Sequence, residues 1–137
     1  MLKKTITYTD FDGNERTEDF YFNFTKAELM EMELSEYGGF TNLINKIVQE
    51  NDVARIAEIF KDIVLKAYGE KSLDGKRFVK SQELRDAFAQ TEAYSQLYMS
   101  LVFDADEATK FVRGIMPADV QAEALKLDRV QMTEAEE

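Results

Sequence analysis

The sequence predicts a mainly α-helical fold of the α+β class, in which an N-terminal β-hairpin packs on a bundle of about five or six short helices and a C-terminal tail follows. Three observations support this prediction. Residues 4–9 alternate polar and apolar side chains, as a β-strand does. Later segments repeat apolar residues with the helical period. Two capping boxes, Thr25 with Glu28 and Asp104 with Glu107, mark helix starts.

The hairpin is predicted from two β-type segments around a turn. Residues 4–9 form the first strand and residues 15–24 the second. Asp12 and Gly13 suit the turn between them, because glycine accepts a positive φ at no steric cost. The second strand places three aromatic rings on one face that helices must cover: Phe20, Phe22 and Phe24.

Two helices are predicted to follow the hairpin directly. The first begins at the Thr25 and Glu28 capping box and ends at Gly38 and Gly39. Its predicted core-facing stripe consists of Ala27, Met30, Leu34 and Tyr37. The second covers residues 40–48, with a 3.6-residue pattern of Phe40, Leu43, Ile44, Ile47 and Val48.

Residues 52–69 are the longest capped helical pattern in the chain. Asp52 suits the N-cap, and Gly69 suits a left-handed C-terminal cap. The core-facing stripe is predicted to consist of Val53, Ile56, Ala57, Phe60, Ile63, Val64, Ala67 and Tyr68. We therefore expect this segment to be the central helix.

Periodicity lapses over residues 70–80, and Asp74 with Gly75 indicates a turn, so we predict a loop. Positive charge concentrates in this stretch, at Lys71, Lys76, Arg77 and Lys80. The alternative, a patch that binds an acidic or phosphate group, is less favoured than a solvated loop.

Three capped helices are predicted to complete the domain. They begin after Ser81, Thr91 and Asp104, and Pro117 ends the last one. Their core sides are predicted to be Leu84, Ala87 and Phe88 in the first helix, Tyr94, Leu97, Tyr98, Leu101 and Val102 in the second, and Ala108, Phe111, Val112, Ile115 and Met116 in the third. Residues 1–117 thus form one domain, and residues 118–137 are predicted to be an acidic, weakly helical or disordered tail.

Composition argues against catalysis, metal binding and a cofactor. The chain has no cysteine and no histidine, which removes the commonest nucleophile, general base and zinc ligands. A calcium loop at Asp10, Asp12 and Asn14 is the alternative to the hairpin turn, but the spacing and downstream glutamate of an EF-hand are missing. We therefore predict no catalytic residue, no metal site and no cofactor.

Charge bears on the choice of partner. The net charge is −10, from 17 basic and 27 acidic residues, which disfavours nucleic acid and anionic membranes as partners. No apolar run approaches the roughly 20 residues that span a bilayer. We expect a cytoplasmic protein.

Five apolar residues lie off the predicted core stripes of their helices: Leu29, Met32, Leu65, Met99 and Phe103. One interpretation is that these helices are sandwiched and touch neighbours on two sides. The other is that the five side chains form an adaptable partner-binding surface, which the flexible methionine side chain favours. Such exposure also predicts a tendency to self-associate.

Two blocks of sequence carry a family resemblance. The first is KKTITYTDFDGNERTEDFYFN at residues 3–23, continuing as TKAELMEME at residues 25–33. The second combines YGEKSLDGKRF at residues 68–78, QTEAY at residues 90–94 and IMP at residues 115–117. Together they resemble the tail assembly chaperones of siphophages that infect Gram-positive bacteria.

This resemblance implies a non-enzymatic assembly factor. Such chaperones bind the aggregation-prone tape measure protein, help recruit tail tube subunits through a longer frameshifted form, and are absent from the mature virion. The composition of the chain is compatible with this role, because an acidic domain with apolar grooves can cover the apolar side of an amphipathic helix. Two alternatives stay open: a small phage regulatory or inhibitory protein that binds a host factor, and a minor structural virion protein.

Overall fold

The computed structural model describes residues 1–31 and 52–117 and confirms the predicted fold class. The described part contains four strands and five helices: β1 Leu2–Thr9, β2 Glu15–Phe22, α1 Lys26–Glu31, α2 Val53–Ala67, β3 Tyr68–Lys71, β4 Phe78–Val79, α3 Gln82–Ala89, α4 Glu92–Phe103 and α5 Ala105–Ile115. The helix predicted at residues 40–48 and the tail predicted at residues 118–137 lie outside the described residues.

The first hairpin forms as predicted. β1 and β2 pair antiparallel along their whole length, from Leu2 opposite Phe22 to Thr9 opposite Glu15. Gly13 has a φ of 83° in the connecting turn. The second strand ends earlier than predicted, at Phe22, because the backbone then turns to other elements: the Phe24 amide donates to the Ile115 carbonyl at 2.8 Å.

Residues 70–80 were predicted to be a loop, and the structure corrects this. β3 and β4 form a second antiparallel hairpin there, and β3 also pairs with β2 through Tyr21 opposite Gly69. The result is one four-stranded sheet in the order β1-β2-β3-β4. The predicted turn is present, since Gly75 has a φ of 74° between the two short strands.

Gly69 is not the helix cap that the sequence predicts. α2 passes directly into β3 through Tyr68, and Gly69 is a strand residue. A Cβ atom built on Gly69 would lie 2.7 Å from the Val79 carbonyl oxygen and 2.8 Å from the Phe78 ring. Glycine is needed here because β4 approaches the backbone too closely for a side chain.

We therefore expect Gly69→Ala to lower the free energy of unfolding by about 1–3 kcal/mol, the usual cost of overpacking. Urea unfolding measures the change. Glu70→Ala, at the exposed neighbour on the same strand, is the control and should change stability by less than about 0.5 kcal/mol. Equal stability of the two variants would contradict the close approach of β4.

The predicted N-terminal caps of α1, α2, α3 and α4 are confirmed. The Glu28 amide donates to Thr25 Oγ1 at 3.2 Å, and the Thr25 amide donates to Glu28 Oε1 at 2.9 Å, which completes the capping box. Side chains also cap α2, α3 and α4, from Asp52, Ser81 and Thr91 respectively. Local hydrogen-bonding chemistry therefore fixes where these helices begin.

Asp104 forms only half of the second predicted capping box. Its carboxylate accepts from the amides of Asp106 and Glu107 at the start of α5. Its own amide donates to the Ser100 carbonyl at the end of α4, so Glu107 does not complete the box. The Glu107 carboxylate instead lies 3.6 Å from Lys4 Nζ on β1.

The core forms between the inner face of the sheet and the helices. The predicted stripes of α2, α4 and α5 are confirmed, except that Val53 in the first turn of α2 is exposed. α4 packs against α2, α5 and β1. Phe22 is fully buried at the junction, where its ring meets the rings of Phe111, Phe88 and Tyr68.

The predicted inner face of α1 is wrong over the described residues, and Leu34 and Tyr37, the rest of that predicted stripe, lie outside them. Ala27 and Met30 are exposed, whereas Leu29 is buried in the core. Both sets of residues are apolar, so the pattern alone left the rotation of this helix undecided. The chain enters α1 from Phe24, whose ring is already buried, and this entry turns Leu29 inward.

Candidate partner-binding surface

The five residues predicted as a partner surface have different environments. Leu29 is 1% exposed and packs in the core, so its predicted place on the surface is wrong. Its burial follows from the orientation of α1. Met32 lies outside the described residues. Leu65, Met99 and Phe103 reach the surface to different extents.

Leu65 lines a shallow groove between α2 and α3. The groove has a volume of about 360 Å³ and is also lined by charged and polar side chains: Glu58, Lys61, Asp62, Lys66, Gln82 and Arg85. Leu65 itself is half-buried and packs against the core. Arg85 Nε donates to the Leu65 carbonyl at 3.1 Å and ties the two helices together. This site offers a small apolar floor within a mixed-charge rim.

Met99 and Phe103 lie together on the outer face of α4. They are 49% and 67% exposed, and their separation of four residues places them one helical turn apart. Ser95, also exposed, extends the same face by another turn. Glu92 is the only charged residue in α4 and is exposed on this face, together with the uncharged polar residues Gln96 and Ser100. Met99 and Phe103 thus form an exposed apolar pair among mostly uncharged polar side chains.

α4 is a firmly held platform for these two side chains. Leu97 and Leu101 anchor its inner face in the core. The Tyr98 hydroxyl donates to the Ala57 carbonyl of α2 at 3.1 Å, and Gln96 Nε2 donates to the Thr7 carbonyl of β1 at 3.0 Å. An exposed apolar pair on a fixed helix needs little ordering when a partner binds.

Other large apolar side chains are exposed singly on turns and helix ends. Phe11 lies at the tip of the first hairpin and Leu73 at the tip of the second. Sequence periodicity missed both, because neither lies in a periodic segment. Turn position was the available signal, since side chains in short hairpin turns point to solvent.

The basic cluster predicted in residues 70–80 is divided by the structure. Lys80 turns inward, where its ammonium group pairs with Glu28, donates to the Asn23 carbonyl at 2.7 Å and lies over the Phe24 ring. Lys76 and Arg77 are exposed in the turn between β3 and β4. Lys80 therefore joins the second hairpin to α1 and does not contribute to a surface patch.

The ion pair between Glu28 and Lys80 makes stability depend on pH. Burial raises the pKa of Glu28, but hydrogen bonds from Lys80 and from the Thr25 amide outweigh it and hold that pKa below its ordinary value. Burial also lowers the pKa of Lys80. Because the folded state favours ionised Glu28, this carboxylate stabilises the fold at neutral pH, and its contribution is lost as pH falls through the lowered pKa.

We expect Glu28→Gln to lower the free energy of unfolding by about 1–3 kcal/mol at neutral pH, because it leaves the ammonium group of Lys80 without a charged partner. The deficit should shrink in acid, where wild-type Glu28 is itself protonated. Urea unfolding at several pH values measures it. Glu31→Gln, at an exposed position of the same helix, is the control, and a deficit that is constant across pH would contradict the assignment.

The acidic turn of the first hairpin serves a structural purpose. The Asp10 carboxylate accepts hydrogen bonds from Arg16 and from the amides of Asp12 and Asn14. The bond from Arg16, followed by the amide bonds, lowers the pKa of Asp10. In the described ranges, no group of three or more acidic side chains is placed to hold a metal ion.

The fold and surface define a small α+β protein that exposes an apolar pair, Met99 and Phe103, on one helix of an acidic chain. The family described as phage tail assembly chaperone matches residues 1–137. The chain belongs to this family, which is a non-catalytic kind of protein that interacts with tail proteins. No curated protein and no solved structure matches the chain. None of the helices in the described residues is long and apolar enough to cross a membrane.

Proposed function

We propose that this phage tail assembly chaperone binds the tape measure protein, keeps it soluble, and helps recruit tail tube subunits during tail morphogenesis. The observation that carries the proposal is the exposed apolar pair Met99 and Phe103 on α4 in a member of this family. The protein acts in the host cytoplasm and is released before the virion is complete. We further propose that the phage is a siphophage with a Gram-positive host.

The chemistry of α4 suits an amphipathic helix as the partner. Phe103 supplies a rigid aromatic anchor, and Met99 supplies a flexible side chain that adapts to irregular apolar surfaces. A partner helix that lays its apolar stripe on this face would shield that stripe from other chains. The net charge of −10 would then keep the complex dispersed through mutual repulsion.

Two further residues belong to the proposal. Leu65 would provide a second contact, because its groove opens between α2 and α3 and has an apolar floor. Met32 stays a prediction from the sequence as a partner residue. Recruitment of tube subunits is assigned to a longer frameshifted form, which the gene sequence downstream of this reading frame would reveal.

Co-expression tests the proposed function. Tape measure protein from the same phage should be found in the soluble fraction when it is produced with this chaperone, and in the insoluble fraction when it is produced alone. The two proteins should also purify together, and the chaperone should be absent from purified particles. Tape measure protein that stays insoluble with the chaperone, or chaperone found in particles, would contradict the proposal.

A further inference from the structure

The outer edge of β1 exposes backbone hydrogen-bonding groups. The Asp10 amide donates to the Asn14 carbonyl at 2.9 Å and closes the first hairpin. In an antiparallel pair, every second residue of a strand exchanges hydrogen bonds with the neighbouring strand. Counting back from Asp10, the even-numbered residues of β1 therefore bond to β2. The N–H and C=O groups of the odd-numbered residues point away from the sheet: Lys3, Thr5, Thr7 and Thr9.

This edge is open within residues 1–31 and 52–117. The outward backbone groups of Lys3, Thr5 and Thr9 have no hydrogen-bond partner there, and the Thr7 carbonyl accepts only from the Gln96 side chain. A groove of about 300 Å³ runs between the edge and α4. β1 has eight residues, no proline and no bulge in its register, and its only charged side chains, Lys3 and Lys4, are confined to its first half. The stretch from Thr5 to Thr9 therefore carries none of the common devices that stop a strand from pairing further.

Charge is distributed unevenly along this hairpin. The beginning of β1 carries Lys3 and Lys4 and no acidic residue. The opposite end, around the turn, carries Asp10, Asp12 and Glu15 together with Arg16, which pairs with Asp10, and so stays acidic by two charges. In an antiparallel pair of identical hairpins, the acidic end of each copy would lie beside the basic end of the other. The edge is therefore complementary to itself.

We propose that β1 pairs antiparallel with β1 of a second copy of this chain, about a two-fold axis at Ile6, to form a continuous eight-stranded sheet. This register pairs Lys3 with Thr9 and Thr5 with Thr7 of the second copy. No lysine lies opposite another lysine, and β-favouring threonines face each other. Gln96 must release the Thr7 carbonyl when the two strands pair. The pairing uses the sheet edge, whereas the proposed tape measure binding uses Met99 and Phe103, so the two share only the Gln96 side chain.

Hydrogen exchange in the wild-type protein tests this register. The amides of Thr5, Thr7 and Thr9 should become protected as protein concentration rises, in step with dimer formation measured by sedimentation. The amides of Ile6 and Tyr8 should be protected at all concentrations, because they bond to β2. A protein that stays monomeric with rapidly exchanging odd-numbered amides would overturn the proposal. A dimer whose odd-numbered amides stay unprotected would also overturn it.

A substitution pair separates the backbone contribution from the side chain. Thr5→Pro removes an outward N–H without removing a ladder bond, and Thr5→Val removes the same hydroxyl but keeps the amide. Thr5→Pro should weaken dimerisation by about tenfold or more, because a two-fold pairing loses two hydrogen bonds. Thr5→Val should dimerise like the wild type. A folded Thr5→Pro variant with unchanged dimerisation would overturn the proposal. If this variant does not fold, the hydrogen-exchange measurement on the wild-type protein decides the question.

Discussion

Phe22→Ala is expected to lower the free energy of unfolding by about 3–5 kcal/mol. Phe22 is 0% exposed. Its ring centroid lies 5.2 Å from that of Phe111 on α5, and 5.8 Å from those of Tyr68 on β3 and Phe88 on α3. Truncation leaves a cavity among rings from three elements, and the Tyr68 and Phe88 rings are stacked on each other, which limits how far the site can collapse.

Phe11→Ala is the matched control, because it deletes the same ring from a site that is 77% exposed. This variant should unfold within about 0.5 kcal/mol of the wild type. Urea unfolding of both variants under the same conditions gives the comparison. Similar losses at the two positions would mean that Phe22 does not occupy the junction of sheet and helices.

The double variant Met99→Asp with Phe103→Asp is expected to weaken binding of the tape measure protein by more than about tenfold. Losing about 50 Å² of apolar contact per residue, at about 25 cal/mol/Å², costs roughly 1 kcal/mol each, and the two carboxylates add a desolvation cost on binding. Co-expressed tape measure protein should shift to the insoluble fraction. The melting temperature of the chaperone should stay close to that of the wild type, because both side chains are exposed.

Two controls on α4 make this result interpretable. Ser95→Asp adds a carboxylate to the same exposed face without removing apolar contact and should bind more tightly than the double variant. Leu97→Asp buries a charge in the core and should collapse the melting temperature, since Leu97 is buried. If the double variant instead behaved like Leu97→Asp, its residues would be part of the core and the surface assignment would be wrong.

Sequence reasoning succeeded where the determining chemistry is local. A capping side chain bonds to amides two or three residues away, as Asp52 does with Ala54 and Ser81 with Leu84, so a short window of sequence contains the whole interaction. The stripe of α5 was correct for a similar reason, because five apolar residues recur at helical spacing on an otherwise polar helix.

Predictions failed where the outcome depends on distant parts of the chain. Gly69 suits a helix cap or a close backbone approach equally well, and only its pairing with Tyr21 and its contact with β4 decide between them. β4 has two residues, too few for a period to show, and it forms because β3 supplies an edge. Met30 and Leu29 both follow a helical pattern, and the chain's entry from Phe24 selects Leu29 for the core.

From the sequence, the candidate surface could be predicted only as the set of apolar residues that lie outside the core-facing stripes of their helices. Met99 and Phe103 stood out because they are apolar on the side opposite the core stripe of their helix, and their exposure agrees with that reasoning. Leu29 failed the same argument because the stripe of its own helix was assigned to the wrong face. A prediction that an apolar residue lies outside the core-facing stripe is therefore correct only when the helix has been assigned the correct rotation.

Site-specific photo-crosslinking tests most directly whether the outer face of α4 binds the tape measure protein. Benzoylphenylalanine at position 103 keeps an aromatic ring on this face, and the same group at position 110, which is exposed on α5, serves as the control. With the tape measure protein co-expressed, position 103 should yield a crosslinked product that contains it, and position 110 should yield none. No crosslink from position 103, or one from position 110 alone, would contradict binding at α4.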